Sequence, residues 1–211
     1  MTAVTFVRHG HTELSREDYM CGTTDPPLCE TGRAMAAAIA ERAAQDRWDA
    51  LYASPLLRTR QTAAPVAERL GLPIQLEPDL REIAYGEWDG RRLSEIRATD
   101  PARHQRWVER PGSVAPPGGE SGEDVVARSH PAIGRIVERH PGGNVLVVSH
   151  KATIRLLLCA FLGVDLNLFR ARIAAPVASL AIVEFRATGP LVVSLGDTSH
   201  LPPHLRAAAR P

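Results

Sequence analysis

The sequence predicts an α/β protein with three α/β/α layers: a mostly parallel central sheet, helices on both faces and a small cap. Short apolar runs rich in β-branched residues alternate with longer segments of helical periodicity along the 211 residues. This alternation favours parallel strands, because right-handed crossover helices return the chain to the same end of the sheet. A chain of this length buries about 70% of its unfolded surface, so its core needs no disulfide or metal.

The first half of the chain is predicted to hold three strands and two helices. The apolar runs 4–7 and 49–53 are the first two strands, and 73–77 is a shorter third one. Residues 31–44 place their apolar side chains on one helical face. A second helix is predicted from Ser54-Pro55 to residue 70, because Ser is a good N-cap and Pro fits the first turn.

The middle of the chain is predicted to form a cap and the next strand. Residues 80–117 are rich in Arg, Pro and Trp, which is typical of loops and short helices. Ser121 and Asp124 match a capping box that opens a helix, and the run 145–148 is a fully apolar strand. Another helix follows this strand and is stopped by Gly163.

The chain is predicted to close with an antiparallel hairpin. Its strands are 178–185 and 191–195, around a turn that contains Gly189 and Pro190. The tail 202–211 is rich in Ala, Arg and Pro, and we expect it to be frayed. We therefore expect residues 1–211 to form a single domain, with the cap as an excursion within it.

Charge and cysteine content limit the partners and the compartment. The 25 Lys and Arg residues balance 24 Asp and Glu residues, so we expect neither nucleic acid nor a membrane as partner. The three cysteines form no CxxC pair, and the first residues do not resemble a signal peptide. These features predict a cytoplasmic protein with reduced thiols, a monomer or a homodimer, acting on a small molecule.

Reactive side chains follow three of the predicted strands. Arg8 and His9 follow the first strand, Ser54 and Arg58 follow the second, and His150 follows the strand 145–148. In open α/β sheets ligands bind beyond the carboxyl ends of the strands. We therefore expect these side chains to meet at one edge of the sheet.

Two histidines and two arginines suit a phosphate dianion. The planar guanidinium of Arg binds phosphate oxygens in pairs and stays charged. A neutral His can attack phosphorus and form a covalent intermediate. Since phosphoryl transfer depends mainly on positioning and charge neutralisation, Arg and His can replace a metal, and no cofactor or metal is expected.

Ordered motifs over roughly residues 4–200 resemble the histidine phosphatases, also called the phosphoglycerate mutase-like superfamily. The segment Arg8-His9-Gly10-His11-Thr12 is similar to the family signature R-H-G-x-[ST]. The further matching motifs are GTTDPPL at 22–28 with TGR at 31–33, SPLLRTRQTA at 54–63, LREIAYGEWDG at 80–90, PGGES at 117–121 and VVSH at 147–150. The resemblance implies the three-layer fold and a phosphatase activity.

The same resemblance implies a role for each residue of the site. His9 becomes the phosphorylated nucleophile, while Arg8, Arg58 and His150 bind the transferred phosphoryl group. Glu82 matches the acid that protonates the leaving oxygen and then activates water. His150 is therefore grouped with His9 and Glu82 as a catalytic residue.

Two positions depart from the family pattern, and others are candidates for choosing the substrate. Ser15 stands where Asn is common, and its hydroxyl is a candidate phosphate ligand. Lys151 is the sole lysine and follows His150; it either reaches a substrate anion or begins a helix with its charge in solvent. Cys21, Gly22 and Tyr85 are further candidates for binding the substrate, all in loops near the motifs.

The predicted function is a metal-independent phosphomonoesterase acting on a sugar phosphate or phosphoglycerate-like metabolite through phosphohistidine. A phosphoglycerate mutase is the first alternative, but mutases resembling this family carry an extra basic pair in a longer middle segment, and 100–118 has no adjacent arginines. A non-catalytic phospho-ligand binding protein is the second. It is disfavoured because none of the five motif residues is lost.

Overall fold

The computed structural model describes residues 1–16 and 19–209, and its centre is one six-stranded sheet. The spatial order is β3-β2-β4-β1-β5-β6, with the first four strands parallel, β5 antiparallel to β1 and β6 antiparallel to β5. The strands are β1 Thr2–Arg8, β2 Ala50–Ala53, β3 Ile74–Leu76, β4 Asn144–Ser149, β5 Leu180–Arg186 and β6 Gly189–Asp197. The predicted mostly parallel sheet and the closing hairpin are confirmed.

Helices cover both faces of the sheet. They are α1 Glu13–Arg16, α2 Glu30–Ala43, α3 Leu57–Leu70, α4 Leu93–Thr99, α5 Pro101–Glu109, α6 Gly122–Arg139, α7 Lys151–Leu162, α8 Phe169–Arg172 and α9 Pro203–Ala208. Three short 3-10 turns lie at Pro78–Leu80, Gly86–Trp88 and Leu166–Leu168. Within the described ranges, none of the helices has the length and apolar character to cross a bilayer.

Side chains that alternate along the strands fill two cores, one on each face. Phe6 packs with Ile133 of α6 and Leu157 of α7 on one face. Its neighbour Val7 packs with residues of α2 and α3, such as Ile39, on the other. A third, smaller cluster holds the cap together and consists of Met20, Trp88, Ile96 and Trp107. The three-layer architecture with a small cap is thus confirmed.

The predicted start of the second helix needs correction. The second helix does not start at Ser54-Pro55: α3 begins at Leu57, with Leu56 as its extended N-cap and no side-chain cap. The Ser54 hydroxyl bonds the His150 ring at 2.8 Å instead, so tertiary contact has replaced the local cap. The capping box of Ser121 and Asp124 is confirmed at the start of α6.

The expectation of a frayed tail is wrong for its described part. Residues 203–208 form α9, and the buried side chain of Leu205 packs into the core beside α2 and α3. The backbone N–H of Val177 donates to the carbonyl of Ala209 at 3.1 Å. One apolar side chain per turn is enough to dock this short segment, despite its Ala- and Arg-rich composition. Residues 210–211 lie outside the described residues.

Candidate active site

A cavity of about 480 Å³ opens at the carboxyl end of β1 and is lined by residues of several motifs. Arg8 and His9 come directly from the strand end, Arg58 from α3, and Glu82 from the loop after the first 3-10 turn. The fold therefore brings these side chains together at one edge of the sheet, as predicted.

His9 is held as a neutral imidazole with a free ring nitrogen. Its Nδ1 lies 2.8 Å from the Gly10 carbonyl, which can only accept, so Nδ1 carries the proton and Nε2 the lone pair. Burial, together with the nearby charges of Arg58 and Arg8, holds the pKa of His9 well below its ordinary value. The ring is thus neutral at physiological pH and presents Nε2 as a nucleophile.

The loop that carries His9 is packed tightly against α2. A Cβ on Gly10 would lie 2.5 Å from the Gly32 carbonyl, and one on Gly32 would lie 2.0 Å from the His11 carbonyl. The Gly10 N–H donates to the Thr62 hydroxyl at 3.0 Å. His11 Nε2 donates to the Ala208 carbonyl at 2.6 Å, which ties the same loop to α9. The nucleophile is therefore fixed from several sides.

Arg8 is a buried cation with an unsatisfied donor. Its guanidinium donates to the Ala175 carbonyl at 2.6 Å, while its Nε has no partner. Burial lowers the pKa of Arg8 to about 10, so it remains charged at neutral pH. A buried donor without a partner costs free energy, and an anion entering the cavity would satisfy it.

Arg58 is held rigidly by backbone carbonyls. It donates to the carbonyls of Gly22 and Thr24, both at 2.9 Å, and lies 3.4 Å from the Asp25 carboxylate. Its side chain is 1% exposed. Because these contacts use much of the guanidinium fork, Arg58 is positioned before any ligand arrives.

His150 lies behind Arg58 and does not line the cavity. Its Nδ1 accepts from Arg58 Nε at 3.2 Å, so its proton is on Nε2, which donates to the Ser54 hydroxyl at 2.8 Å. Burial and the charge of Arg58 lower the pKa of His150 well below its ordinary value. Its ring centroid is 5.3 Å from that of His9. This geometry orients Arg58; direct contact of His150 with a phosphoryl group stays a prediction.

Glu82 is bound at the N-terminus of α7. Its carboxylate accepts from the backbone N–H groups of Ala152 and Thr153, both at 3.2 Å, and of Ile83 at 2.9 Å. Among the described residues it is the single carboxylate that lines the cavity. Backbone amides and the helix dipole hold its negative charge in place.

Two helix N-termini near the motif residues bind carboxylates of this chain. The amides at the start of α7 bind the Glu82 carboxylate. The Leu57 N–H at the start of α3 donates to both oxygens of Asp25, at 2.7 and 2.8 Å. Helix N-termini attract any anion, and here carboxylates of this chain are the ones that reach them.

A partly buried ion pair holds the backbone around Glu82. Arg128 of α6 donates to the carbonyls of Asp79 at 2.7 Å, Arg81 at 2.9 Å and Glu82 at 3.1 Å. It is paired with Glu120 at 2.8 Å, and Glu120 accepts from the Ala84 N–H at 3.0 Å. Arg128 and Glu120 thus fix the loop on both sides of Glu82.

The other predicted substrate-binding residues divide into two groups. Ser15, Cys21, Tyr85 and Lys151 line the cavity, whereas Gly22 does not and instead offers its carbonyl to Arg58. The Ser15 hydroxyl accepts from the N–H of Thr12 at 2.8 Å and donates to its carbonyl at 2.9 Å, so its local role is to close the turn before α1. Burial raises the pKa of Cys21 to about 11, which keeps it a thiol.

Lys151 begins a helix, as one of the two alternatives had it, but its charge is not left in solvent; contact with a substrate anion stays a prediction. It is the first residue of α7, and its partly buried side chain also lines the cavity. Burial, with Arg8 and Arg155 nearby, lowers the pKa of Lys151 to about 8. An ammonium in this position is half-desolvated and directed at the same space as His9.

The arrangement of these residues matches a known family. Residues 4–198 match the profile of the histidine phosphatase superfamily, branch 1. The chain belongs to the histidine phosphatase superfamily. It is 33% identical over 201 residues to phosphoserine phosphatase 1 of Hydrogenobacter thermophilus, covering 95% of each chain.

Solved structures agree with this assignment. The fold of this histidine phosphatase is similar to that of YhfR from Bacillus stearothermophilus, with a TM-score of 0.90 and 34% identity over 95% of this chain and 99% of the other. It is also similar to a mycobacterial glucosyl-3-phosphoglycerate phosphatase in complex with VO3, with a TM-score of 0.85 and 30% identity over 93% and 99% of the two chains.

The cavity of this histidine phosphatase has cations and aromatic rings that the sequence analysis missed. They are Arg97, His104, Trp107, Arg155 and Arg170. Arg155 could have been found, since it lies four residues after Lys151 and so shares its helical face. Arg170 left no such signal, because α8 reaches the cavity only through tertiary packing.

Proposed function

We propose that this histidine phosphatase hydrolyses a small phosphorylated metabolite through a phosphohistidine on His9. The observation that carries the proposal is that neutral His9, with its lone pair on Nε2, and Arg8, whose buried Nε has no partner, line one cavity. The Nε2 atom is a nucleophile, and the Nε atom is an unsatisfied hydrogen-bond donor that can bind an anion. A phosphomonoester supplies both an electrophilic phosphorus and that anion.

The reaction then proceeds in two displacements. His9 Nε2 forms a bond to phosphorus while the ester P–O bond breaks, and Glu82, which has taken up a proton from solvent before this step, gives that proton to the leaving oxygen. In the second step Glu82 takes a proton from water, the water oxygen bonds to phosphorus, and the Nε2–P bond breaks to release phosphate. Arg8 and Arg58 neutralise the phosphoryl oxygens in both steps, without a metal ion.

Hydrolysis is favoured over a mutase reaction by the cap. A mutase must hold its released phosphoglycerate for a second transfer, and the resemblance assigns that task to an extra basic pair in the middle segment. The three arginines of the segment 100–118 are Arg103, Arg106 and Arg110, and none lines the cavity. An intermediate without that retention is expected to react with water.

Phosphate release from 4-nitrophenyl phosphate and from a panel of natural monoesters, in the presence of EDTA, tests the proposal. We expect steady release with and without the chelator, because arginine and histidine supply the charge that a metal would. Absence of release from every ester, or loss of activity that a divalent ion restores, would contradict it. Isomerisation of 3-phosphoglycerate without phosphate release would indicate the mutase.

A further inference from the structure

Four cations that line the cavity have no task in the proposed phosphoryl transfer, and three of them, unlike the exposed Arg97, are partly buried. Lys151 and Arg155 project from α7, four residues apart and therefore on one face, and Arg170 belongs to α8. Arg8 and Arg58 already neutralise one phosphoryl group. A second set of cations in the same cavity needs a different explanation.

These cations form no ion pair within the chain's described ranges, and the acid whose charge acts on Lys151 and Arg155 is Glu82. Arg155 Nε is buried and without a partner, and no ion pair joins Lys151, Arg155 or Arg170 to a carboxylate among residues 1–16 and 19–209. Glu82, the one described carboxylate of the cavity, is bound by the amides of α7. Partly buried like charges without an ion-pair partner repel one another, and a bound anion would relieve that repulsion.

Arg170 is preorganised for such an anion. Its guanidinium carbon lies 3.6 Å from the ring centroid of Trp107, so the guanidinium packs over the indole face. Trp107 is itself fixed in the cap by Trp88, at a centroid distance of 5.5 Å. Stacking covers the flat face of a guanidinium but leaves its in-plane N–H donors free for bidentate binding.

We propose that Lys151, Arg155 and Arg170 form a second anion subsite, which selects phosphomonoesters carrying another anionic group, carboxylate or phosphate, and no cationic one. The inference rests on the proposed function, because it describes the other end of the same substrate. Among the described residues that line the cavity, an α-ammonium would meet these three cations and no carboxylate other than Glu82. The substrate of this chain therefore differs from the phosphoserine named for its Hydrogenobacter relative.

Matched substrates test the subsite by ratios of kcat/KM. The first pair is 3-phosphoglycerate and glycerol 3-phosphate, which differ by a carboxylate in place of a hydroxymethyl group. We expect a preference of at least about tenfold for 3-phosphoglycerate, equivalent to about 1.4 kcal/mol. Phosphoserine should rank below 3-phosphoglycerate, and 2,3-bisphosphoglycerate shows whether a second phosphate is bound better than a carboxylate.

Three variants complete the experiment, two of them on the short helix α8. Arg170→Gln should reduce the preference for 3-phosphoglycerate to about twofold or less, and Arg155→Gln should act in the same direction. Arg172→Gln removes the same charge from an exposed position of α8 that does not line the cavity, and its ratio should equal that of the wild type. The ratio compares two substrates of one variant, so a partly unfolded fraction cancels.

The possible results distinguish a failure of the subsite from a failure of the proposed function. Turnover of 4-nitrophenyl phosphate with equal use of 3-phosphoglycerate and glycerol 3-phosphate would overturn the subsite and leave the phosphatase intact. A preference for phosphoserine, or an equal loss of preference in Arg172→Gln, would also overturn it. Lack of phosphate release from all of these esters would instead refute the proposed function.

Discussion

The two groups of cations in the cavity are held in different ways. At the phosphoryl end, Arg58 and Arg8 are fixed by backbone carbonyls of loops. In the second group, the Arg170 guanidinium packs over the indole ring of Trp107, and Arg155 has a buried nitrogen without a partner. A contact to a backbone carbonyl persists when the side chain of that residue is substituted. A contact to a side chain on a helix surface does not. The first group thus suits a fixed chemistry, and the second suits a substrate choice that can change.

The largest effect is expected from the nucleophile. His9→Ala should lower kcat for every phosphomonoester by more than about 10⁴-fold, because it removes the atom that bonds to phosphorus. Stopped assays with 4-nitrophenyl phosphate and 3-phosphoglycerate check it, with His130→Ala, an exposed position of α6, as the control. Substantial turnover of either substrate by His9→Ala would contradict the role of His9 as the nucleophile at the phosphoryl end.

Glu82→Gln is expected to rank next. It should lower kcat for alkyl phosphates by about 10²–10⁴-fold, the usual contribution of general acid catalysis. The loss should be smaller for 4-nitrophenyl phosphate, whose leaving group needs little protonation. Glu123→Gln, an exposed change on α6, serves as the control. An equal loss for alkyl and aryl esters would mean that Glu82 only supports the fold.

Arg128 tests how the backbone positions Glu82. Arg128→Met should lower kcat for alkyl phosphates by roughly 10–10²-fold, because it frees the loop that aims the carboxylate. The loss should again be smaller for 4-nitrophenyl phosphate, a dependence that simple destabilisation does not produce. Arg128→Lys should restore part of the rate. Arg139→Met, at an exposed position of the same helix, is the control. Similar losses for both ester types would contradict a positioning role.

Lys151 gives the smallest effect and a pH dependence. Burial lowers the pKa of Lys151 to about 8, so its ammonium is charged below that pH and lost above it. KM for 3-phosphoglycerate should therefore rise by up to about tenfold as the pH passes through this value. Lys151→Ala should have the high KM at all pH values, and Lys151→Arg should remove the rise above pH 8. A wild-type KM independent of pH would contradict the role of the ammonium.

The sequence predicts the phosphoryl end much better than the second group of cations. Arg8, His9 and Arg58 lie directly after strands or at a helix start, so their meeting follows from the parallel order of the sheet. The binding of Glu82 by α7, instead of phosphate, depends on where a loop returns in space. Arg170 depends on the packing of α8 against the cap. Neither the binding of Glu82 nor the position of Arg170 can be predicted from the spacing of residues along the sequence.

The fold was predictable for a related reason. Apolar periodicity identified the strands and the main helices, and the three-layer arrangement follows from their order. The start of α3 and the docking of α9 were mispredicted, because His150 competes for Ser54 and Leu205 finds a hydrophobic groove. Both errors occur where a tertiary contact overrides a local preference.

Trapping the phosphoenzyme tests the central claim most directly. Glu82→Gln protein mixed with 4-nitrophenyl phosphate should be phosphorylated quickly and dephosphorylated slowly, since the aryl leaving group needs no acid but water needs a base. Rapid quenching at alkaline pH and peptide mass spectrometry should place one phosphoryl group on His9, and none should form in the Glu82→Gln, His9→Ala double variant. A phosphoryl group on another residue, or release of 4-nitrophenol without any labelled His9, would contradict the account.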